Sequence, residues 1–438
     1  MKISLITFGC PKNLVDAENM LGTLAAAGHI ICGDPSDADI IVVNTCGFIE
    51  SAREESNEGI REALSYGKKV IVIGCLAQRF PERIKKDFPK VAAVLGIDRF
   101  EELTAVVDKL SESDKAETAS EPAPRCWVEP RARLQSTPPH TAYIKVSDGC
   151  DNRCAYCAIP DIRGPFRSRP EAKIIEEAKT LSENGVKELI LVGQDLTDYG
   201  KDTGTNLATL LRKLCAIESV KYIRPLYCYP SKIDDDLIEA IAESPKVLHY
   251  MDIPIQHGDD EVLRRMGRHG TAKRYLEVIA KIRERMPDFA IRSTFIVGFP
   301  GETGENFANL LAFIRKAKLD RAGAFVYSPE EGTRGAEMEG KVSPKTAEKR
   351  LDRLMKLQYN ITAARNGEFA GKPMAVIVEG FLEEGGVIGR SYRDAPEIDG
   401  LVIVPDGPEV EIGTVITAEI TEAEGYDLYG RYLKTEKI

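Results

Sequence analysis

Short apolar runs alternate with amphipathic stretches along most of this chain of 438 residues, and this pattern limits the possible folds more than any other feature. The runs at residues 2–8, 39–43 and 69–73 predict strands, and the stretches at 15–27, 51–66 and 79–88 predict helices. A helix between two strands returns the chain to the same end of a sheet, so this alternation predicts a parallel sheet with helices on its faces. We expect this first α/β domain to cover residues 1–110.

The alternation resumes after a segment of different composition. Residues 111–137 are rich in Ser, Pro and charge and lack apolar periodicity, which is typical of an interdomain linker. Six strand candidates follow at residues 141–147, 188–193, 222–228, 248–255, 290–297 and 321–327, with helical stretches such as 171–184 and 271–286 between them. These units predict a partial α/β barrel over residues 138–370, closed by a long helix at about residues 344–369.

The end of the chain, residues 371–438, has a third pattern. Its apolar segments are short, rich in β-branched residues and separated by Gly, Pro and Asp, which predicts a small antiparallel β barrel. The fold class is therefore a multidomain α/β protein with a terminal all-β domain.

Composition excludes several classes of protein. A net charge of −10 and a pI near 5.4 argue against a chain that coats nucleic acid. No apolar run reaches the roughly 18–20 residues that cross a bilayer, and the first residues do not resemble a signal peptide, so we expect a cytoplasmic protein without membrane contact. In that reducing compartment the ten cysteines do not form a disulfide framework.

Three cysteines lie close together in the segment SDGCDNRCAYCAIP, directly after the first predicted barrel strand. Cys150, Cys154 and Cys157 have the spacing Cys-x3-Cys-x2-Cys, which lets three thiolates meet on one face of a small loop. Cysteines are the usual ligands of iron–sulfur clusters, and three of them leave the fourth iron of a four-iron cluster open. The spacing leaves two alternatives: a zinc site completed by His140, and simple packing of buried thiols.

A second set of cysteines follows the predicted strands of the first domain. Cys10, Cys46 and Cys75 lie in TFGCPKN, NTCGFIES and GCLAQR, each at or just beyond a strand end. The carboxyl ends of parallel strands lie at one edge of a sheet, so the three thiols are expected at the same edge. Position alone favours three half-buried cysteines with a structural role.

Polar, glycine-containing loops follow several predicted barrel strands. Gln194, Gln256 and Gly298 lie in VGQDLTDYG, IPIQHGDDEVLRRMGR and FIVGFPGET, at the strand ends where barrel active sites are built. Ordinary turn chemistry explains such loops equally well. His257 in the second loop is a further polar candidate, although a single histidine is more often structural.

The motif around Cys150 resembles the radical-SAM superfamily, and Tyr156 before the third cysteine also matches. The resemblance implies that this triad holds a 4Fe-4S cluster whose open iron binds S-adenosyl-L-methionine. It implies catalysis through a 5′-deoxyadenosyl radical, with an external flavodoxin- or ferredoxin-type reductant. Tyr156, Gln194, Gln256 and Gly298 are then the expected cofactor contacts.

FGCPKN, NTCGFI and GCLAQR resemble the first domain of the radical-SAM methylthiotransferases. The resemblance extends over the whole chain, with a radical-SAM barrel and a terminal TRAM-like β barrel. It implies that Cys10, Cys46 and Cys75 hold a second, auxiliary 4Fe-4S cluster that carries sulfide or methylsulfide. Cys32, Cys126, Cys215 and Cys228 match none of these motifs and are interpreted as structural.

Charge separates the two main branches of this family, which modify transfer-RNA adenosine or a ribosomal-protein aspartate. Residues 371–438 contain 6 basic and 14 acidic side chains, which disfavours RNA binding and favours a basic protein partner, although an acidic surface can also serve only solubility. The segment RSYRDAPEIDG resembles the ribosomal-protein branch, with Asp394, Glu397 and Asp399 as the expected docking acids.

The resemblance therefore implies transfer of a methylthio group to the β-carbon of an aspartate in ribosomal small-subunit protein twelve. Two alternatives stay open at this point. One is the transfer-RNA adenosine methylthiotransferase, which shares all six cysteines. The other is a non-catalytic iron–sulfur scaffold or electron carrier.

Overall fold

The computed structural model describes residues 1–116, 118 and 126–436. The N-terminal domain contains a parallel five-stranded sheet in the order β2-β1-β3-β4-β5. Its elements are β1 (Lys2–Thr7), α1 (Pro11–Ala26), β2 (Ile30–Ile31), β3 (Ile40–Thr45), α2 (Glu50–Ser65), β4 (Lys69–Gly74), α3 (Cys75–Arg79), α4 (Pro81–Asp87), β5 (Ala93–Val94) and α5 (Phe100–Glu112). Alternate residues of β3 and β4 pack into two apolar clusters on opposite faces, so helices cover both sides.

The second domain contains six main parallel strands, as expected of a partial barrel. Its elements are β6 (Thr141–Lys145), β7 (Ser147–Asp148), α6 (Ile159–Arg163), β8 (Arg167–Ser168), α7 (Glu171–Glu183), β9 (Glu188–Val192), α8 (Leu207–Cys215), β10 (Tyr222–Pro225), α9 (Asp235–Ala242), β11 (Tyr250–Asp252), α10 (Asp260–Arg265), α11 (Ala272–Arg285), β12 (Ala290–Val297), α12 (Gly304–Ala317), β13 (Arg321–Val326) and α13 (Pro344–Gly367). The order is β6-β9-β10 in one group and β11-β12-β13 in the other, and a bridge between Ile223 and Val247 links the groups.

The C-terminal domain is a closed five-stranded barrel in the order β14-β15-β16-β18-β17. Its strands are β14 (Pro373–Phe381), β15 (Val387–Arg390), β16 (Val402–Val404), β17 (Val415–Glu424) and β18 (Asp427–Thr435). The expected small barrel is confirmed, with one difference: β16 and β18 pair parallel, whereas the other pairings are antiparallel.

Two helices of the first domain differ from the sequence expectation. Helix α1 begins at Pro11 rather than near residue 15, because a proline at the first helical position has its φ angle preset and needs no hydrogen-bond partner for its missing N–H. The helix expected at residues 79–88 is divided by Phe80 into α3 and α4, and α3 begins at Cys75.

A loop of the C-terminal barrel fills the bottom of the radical-SAM barrel, where the strands begin. Arg390 donates to Glu188 at the start of β9 (2.7 Å), and Arg321 at the start of β13 donates to Asp394 (2.7 Å). Tyr250 of β11 donates its hydroxyl proton to Asp399 (2.6 Å). These contacts fix the orientation of the C-terminal barrel relative to the radical-SAM barrel.

The same contacts correct the expectation that Asp394, Glu397 and Asp399 form a docking surface. The side chains of Asp394 and Asp399 are only 1% and 2% exposed, and they pair with Arg321 and Arg292 of the radical-SAM barrel. Glu397 alone is exposed. The surface of the domain nevertheless remains acidic, through the exposed residues Glu383, Glu384, Glu397, Asp406, Glu409, Glu411, Glu422 and Glu424.

Ion pairs hold the last residues of the linker, which the structure describes, between the first two domains. Arg133 pairs with Glu18 of α1 and with Glu177 of α7, and Arg169 pairs with Glu129. The beginning of the predicted linker is the end of α5, while residues 117 and 119–125 lie outside the described part of the chain. Within the described residues no helix is both long and apolar enough to span a membrane.

Candidate active site

The six motif cysteines line a single cavity of about 340 Å³ between the N-terminal domain and the radical-SAM barrel. The sequence expectation placed Cys10, Cys46 and Cys75 at one sheet edge and the other three in a loop above the barrel. The structure brings both triads into the lining of the same cavity. All six thiols are free of disulfide bonds, so each is available as a ligand.

Two glycines explain how the N-terminal triad comes together although its members are far apart in sequence. A Cβ atom on Gly9 would lie 2.8 Å from Cys46 Cβ, and Gly9 has a φ angle of +98°. A Cβ atom on Gly47 would lie 2.8 Å from the backbone of Cys75. Only glycine permits these approaches, which place Cys46 against the segments that carry the other two cysteines.

N–H groups surround the sulfur atoms of the barrel triad. Asn152 Nδ2 lies 3.4 Å from Cys150 Sγ, and the backbone N–H of Ile159 lies 3.5 Å from Cys157 Sγ. Arg268 Nη1 lies 3.9 Å from Cys154 Sγ. Donors of this kind stabilise negative charge on thiolates and tune the potential of a cluster that they ligate.

Arg163 of α6 connects the two sides of the cavity and was not identified from the sequence. Its Nη2 atom donates to Cys75 Sγ (3.3 Å) and to Asn13 Oδ1 (3.0 Å), and its Nη1 atom pairs with Asp16 (2.9 Å) and Asp148 (3.0 Å). Arg163 is 1% exposed. A buried guanidinium needs such partners because desolvation of an unpaired charge is costly.

Burial and neighbouring charges shift the pKa values of the thiols in this cavity in different directions. Burial raises the pKa of Cys75 to about 12 and that of Cys150 to about 11. Burial also raises the pKa of Cys10, but the charges of Lys12 and Arg163 outweigh this effect and bring it below its usual value. Metal coordination deprotonates such thiols outright.

Each triad offers three thiols, and cysteine thiolates are the usual ligands of iron–sulfur clusters. Within the described residues no three His, Cys, Asp or Glu side chains converge closely enough to hold one metal ion. In a four-iron cluster each thiolate binds a different iron, so the sulfurs surround a larger object. The zinc alternative is disfavoured further because His140 packs against Gly413 and lies 3.5 Å from Glu379, in contact with the C-terminal barrel.

The four residues expected to contact the cofactor do not all lie at the same cavity. Tyr156 and Gln194 line the six-cysteine cavity; Gln194 Nε2 donates to Asp148, and its Oε1 atom is buried without a partner. Gln256 lines a neighbouring cavity. Gly298 lines neither of them: a Cβ atom there would lie 2.6 Å from Ala347 Cβ, so its φ angle of +77° serves close packing against α13. The structure gives the Gly298 contact no support.

The neighbouring cavity, of about 930 Å³, shares Phe48 and Tyr156 with the six-cysteine cavity. Glu50 and Glu54 at the start of α2 form one wall, and Phe325 on the other side is 59% exposed. Beneath it the carboxylate of Glu330, 1% exposed, pairs with Arg53 and Arg79 of the N-terminal domain. This pairing fixes the spacing of the two walls.

The sequence analysis did not identify several residues of the site, because no recognisable motif marks them. Lys12, Tyr227, Arg268 and Cys228 line the six-cysteine cavity, as does Arg163. Cys228 was interpreted from the sequence as structural, and it is fully buried at the cavity wall. The position of Lys12 beside Cys10 in GCPKN was the available signal, whereas the other residues come from distant strand ends.

Three domain families match the chain in the observed order. The family described as uncharacterized protein family UPF0004 matches residues 2–96, the radical SAM superfamily matches residues 144–314, and the TRAM domain matches residues 370–433. Together with the cysteine cavity, these matches define a radical-SAM enzyme that carries a TRAM domain.

Relatives that match over their full length narrow this class. A protein of Lachnoclostridium phytofermentans named ribosomal protein uS12 methylthiotransferase RimO is 44% identical, over 98% of this chain and 99% of its own. Proteins of the same name from Trichlorobacter lovleyi and Geobacter sulfurreducens are 43% and 42% identical, over 99% of this chain and 98% of theirs. The chain belongs to this family, the ribosomal protein uS12 methylthiotransferases RimO.

Solved structures share the fold at low sequence identity. The radical S-adenosylmethionine methyltransferase TsrM from Kitasatospora setae has a TM-score of 0.57 and 15% identity, over 77% of each chain. The cobalamin-dependent S-adenosylmethionine radical enzyme OxsB has a TM-score of 0.51 and 12% identity, over 82% of this chain and 57% of that one. These similarities concern the fold alone.

Proposed function

We propose that this protein is a radical-SAM methylthiotransferase that adds a methylthio group to the β-carbon of an aspartate in ribosomal small-subunit protein uS12. The observation that carries the proposal is the cavity that two cysteine triads from two domains line together. Radical generation and sulfur transfer need separate metal groups, and both must reach the same carbon atom. The names of the full-length relatives support the same activity and target.

The donor sets support two 4Fe-4S clusters, one on each triad. Cys150, Cys154 and Cys157 hold the cluster that binds S-adenosyl-L-methionine, and Cys10, Cys46 and Cys75 hold the auxiliary cluster with its sulfide or methylsulfide. When bound, these groups supply a radical that takes hydrogen from an unactivated carbon and a sulfur atom that replaces it. The protein supplies orientation, exclusion of water and electrostatic balance.

The residues of the barrel wall position S-adenosyl-L-methionine in this proposal. Gln194 presents its unpaired Oε1 atom toward the cavity, which suits an ammonium or a hydroxyl donor. The guanidinium of Arg268, stacked 3.9 Å from the centre of the Tyr229 ring, supplies positive charge beside Cys154. Asn152 accepts from Lys232 and donates to Asp195 (2.7 Å), which fixes the loop that carries the triad.

The second cavity provides the route for the target. It shares the lining residues Phe48 and Tyr156 with the six-cysteine cavity, has exposed apolar surface at Phe325, and is acidic at Glu50 and Glu54. An extended loop of a basic protein matches this combination, because apolar contacts anchor it and the carboxylates attract its lysines and arginines. The exposed acids of the C-terminal barrel favour the same kind of partner.

Two further features belong to the proposal. Radical generation consumes one electron at a time, so a flavodoxin- or ferredoxin-type reductant is the required partner. A cytoplasmic location follows from a ribosomal target.

An anaerobic assay tests the proposed function. Reconstituted protein is incubated with S-adenosyl-L-methionine, sulfide and dithionite, and with either protein uS12 or hypomodified transfer RNA, and both products are read by mass spectrometry. The proposal predicts a methylthio group on an aspartate of uS12. Modification of adenosine alone would show that the acidic surface does not select the target. Absence of 5′-deoxyadenosine would leave only a scaffold or electron carrier.

A further inference from the structure

Lys12 places a positive charge in the six-cysteine cavity, where it lowers the pKa of the Cys10 thiol but has no described carboxylate within 4 Å. The residue is 9% exposed and lines the cavity, yet its side chain forms neither an ion pair within 4 Å nor a hydrogen bond with any described residue. The neighbouring Arg163 differs, because Asp16 and Asp148 neutralise it. A lysine is charged at neutral pH, and burial without a counterion is unfavourable.

An aromatic ring holds this ammonium group in place without neutralising its charge. Lys12 Nζ lies 3.6 Å from the centre of the Tyr227 ring. Tyr227 has a φ angle of +64°, which a non-glycine residue rarely adopts, and its carbonyl accepts a hydrogen bond from the N–H of Leu196 (3.0 Å). Such strain is typical of positions where a side chain must be aimed at a functional site.

The position of Lys12 separates it from Arg268, another cation that lines the cavity. Lys12 lies in the first turn of α1, two residues after Cys10, on the wall formed by the N-terminal triad. Arg268 lies 3.9 Å from Cys154 Sγ, on the wall where S-adenosyl-L-methionine is proposed to bind. The carboxylate of Asp195, which also lines the cavity, is already paired with Lys232 (2.8 Å).

We propose that Lys12 is the binding site for the side-chain carboxylate of the target aspartate, held between the two cysteine triads. This inference rests on the proposed function and extends it to the residue that selects an aspartate. An ion pair inside a low-dielectric cavity is strong and directional, so it fixes the β-carbon next to the carboxylate. An adenosine target has no carboxylate for this site, and an asparagine leaves the ammonium unpaired.

Two peptides test the inference, one with the target aspartate of uS12 and its surrounding sequence, and one with asparagine in its place. Their binding to the reconstituted protein is measured by fluorescence anisotropy, and the methylthio gain is measured by mass spectrometry. The wild-type chain is expected to prefer the aspartate peptide by about 10- to 100-fold, the usual value of a charge-assisted hydrogen bond. In Lys12→Met this preference falls to about twofold or less, whereas Lys12→Arg retains part of it.

A matched control is Lys372→Met, because Lys372 also lies over an aromatic ring, 5.0 Å from the centre of Phe369, but on the exposed C-terminal barrel. It is expected to keep the wild-type preference. Iron content and circular dichroism of Lys12→Met show whether clusters and fold are retained.

The outcomes separate this inference from the proposed function. Equal affinity of the wild-type chain for the two peptides would overturn the inference without any variant. An undiminished preference in Lys12→Met would overturn it too, and would assign Lys12 to neutralising the auxiliary cluster. In both cases methylthiolation of the aspartate peptide would still support the proposed function, whose failure would instead appear as no modification of either peptide.

Discussion

Arg163 Nη2 lies 3.3 Å from Cys75 Sγ, although the arginine belongs to the radical-SAM barrel and the cysteine to the N-terminal domain. The contact is part of a buried network in which Lys145, Arg163 and Arg167 face Asp16, Asp98 and Asp148. Three positive and three negative charges from two domains thus balance beneath the cavity. Because these ion pairs cross the domain interface, they fix the position of one cysteine triad relative to the other.

Removal of one charge from this network is predicted to destabilise the protein. Arg163→Met leaves one negative charge of the buried network uncompensated, and the expected loss in the free energy of unfolding is about 3–5 kcal/mol. Urea unfolding measures it. Arg212→Met is the control, since Arg212 pairs with Asp236 on the surface and its loss is expected to cost less than about 1 kcal/mol. Equal effects of the two variants would contradict the account.

The C-terminal loop is predicted to act in stability rather than in docking. Asp394→Ala removes the partner of Arg321 and is expected to lower the free energy of unfolding by about 3–5 kcal/mol. Affinity of the folded variant for uS12 is expected to stay within about twofold of wild type, because the residue is buried. A large loss of affinity at unchanged stability would restore the original docking interpretation.

Charge reversal in the second cavity is predicted to slow association with the target. Glu50→Lys combined with Glu54→Lys replaces attraction by repulsion for a basic loop, and the association rate is expected to fall by about tenfold at low salt and less at high salt. Stopped-flow measurement with labelled uS12 checks this. Glu383→Lys combined with Glu384→Lys, on an exposed turn of the C-terminal barrel, reports the contribution of that surface separately.

His257 is predicted to affect pH stability and not catalysis. Burial lowers its pKa to about 3, and its Nδ1 atom accepts a hydrogen bond from the N–H of Asp259 (3.1 Å). The folded form binds this proton less readily than the unfolded form, so stability is full above the unfolded pKa of about 6.5 and is lost as pH falls.

The size of this loss is testable. Between pH 6.5 and 5 it is expected to reach about 1.6 kcal/mol, and urea unfolding at several pH values is expected to show a smaller dependence in His257→Asn. An identical pH dependence of the two proteins would refute the buried neutral histidine.

Much of the fold follows from local patterns in the sequence. The strands of β1, β3 and β4 and the six barrel strands are visible as apolar runs because parallel strands are buried on both faces. The start of α1 was misplaced because Pro11 interrupts the apolar periodicity that marks a helix, although proline suits its first position.

The cysteines that line the site could be named from the sequence, whereas most of its polar residues could not. The six cysteines follow from motifs and strand ends, and glycines at positions 9 and 47 supply the close approach that joins three of them. Arg163 and Tyr227 contact residues that are distant in the sequence, mainly in the N-terminal domain. A local sequence pattern cannot predict such contacts. Asp394 was misassigned because charge along a sequence does not reveal whether a carboxylate meets a buried arginine.

The central claim is that one cysteine triad serves radical generation and the other serves sulfur transfer. A comparison of cysteine variants tests this claim most directly. A triple variant of Cys10, Cys46 and Cys75 to alanine is predicted to keep about half of the iron and to release 5′-deoxyadenosine without methylthio gain on uS12. The Cys150, Cys154 and Cys157 triple variant is predicted to do neither, and Cys32→Ala serves as the control. Methylthiolation of uS12 by the first triple variant would contradict the account.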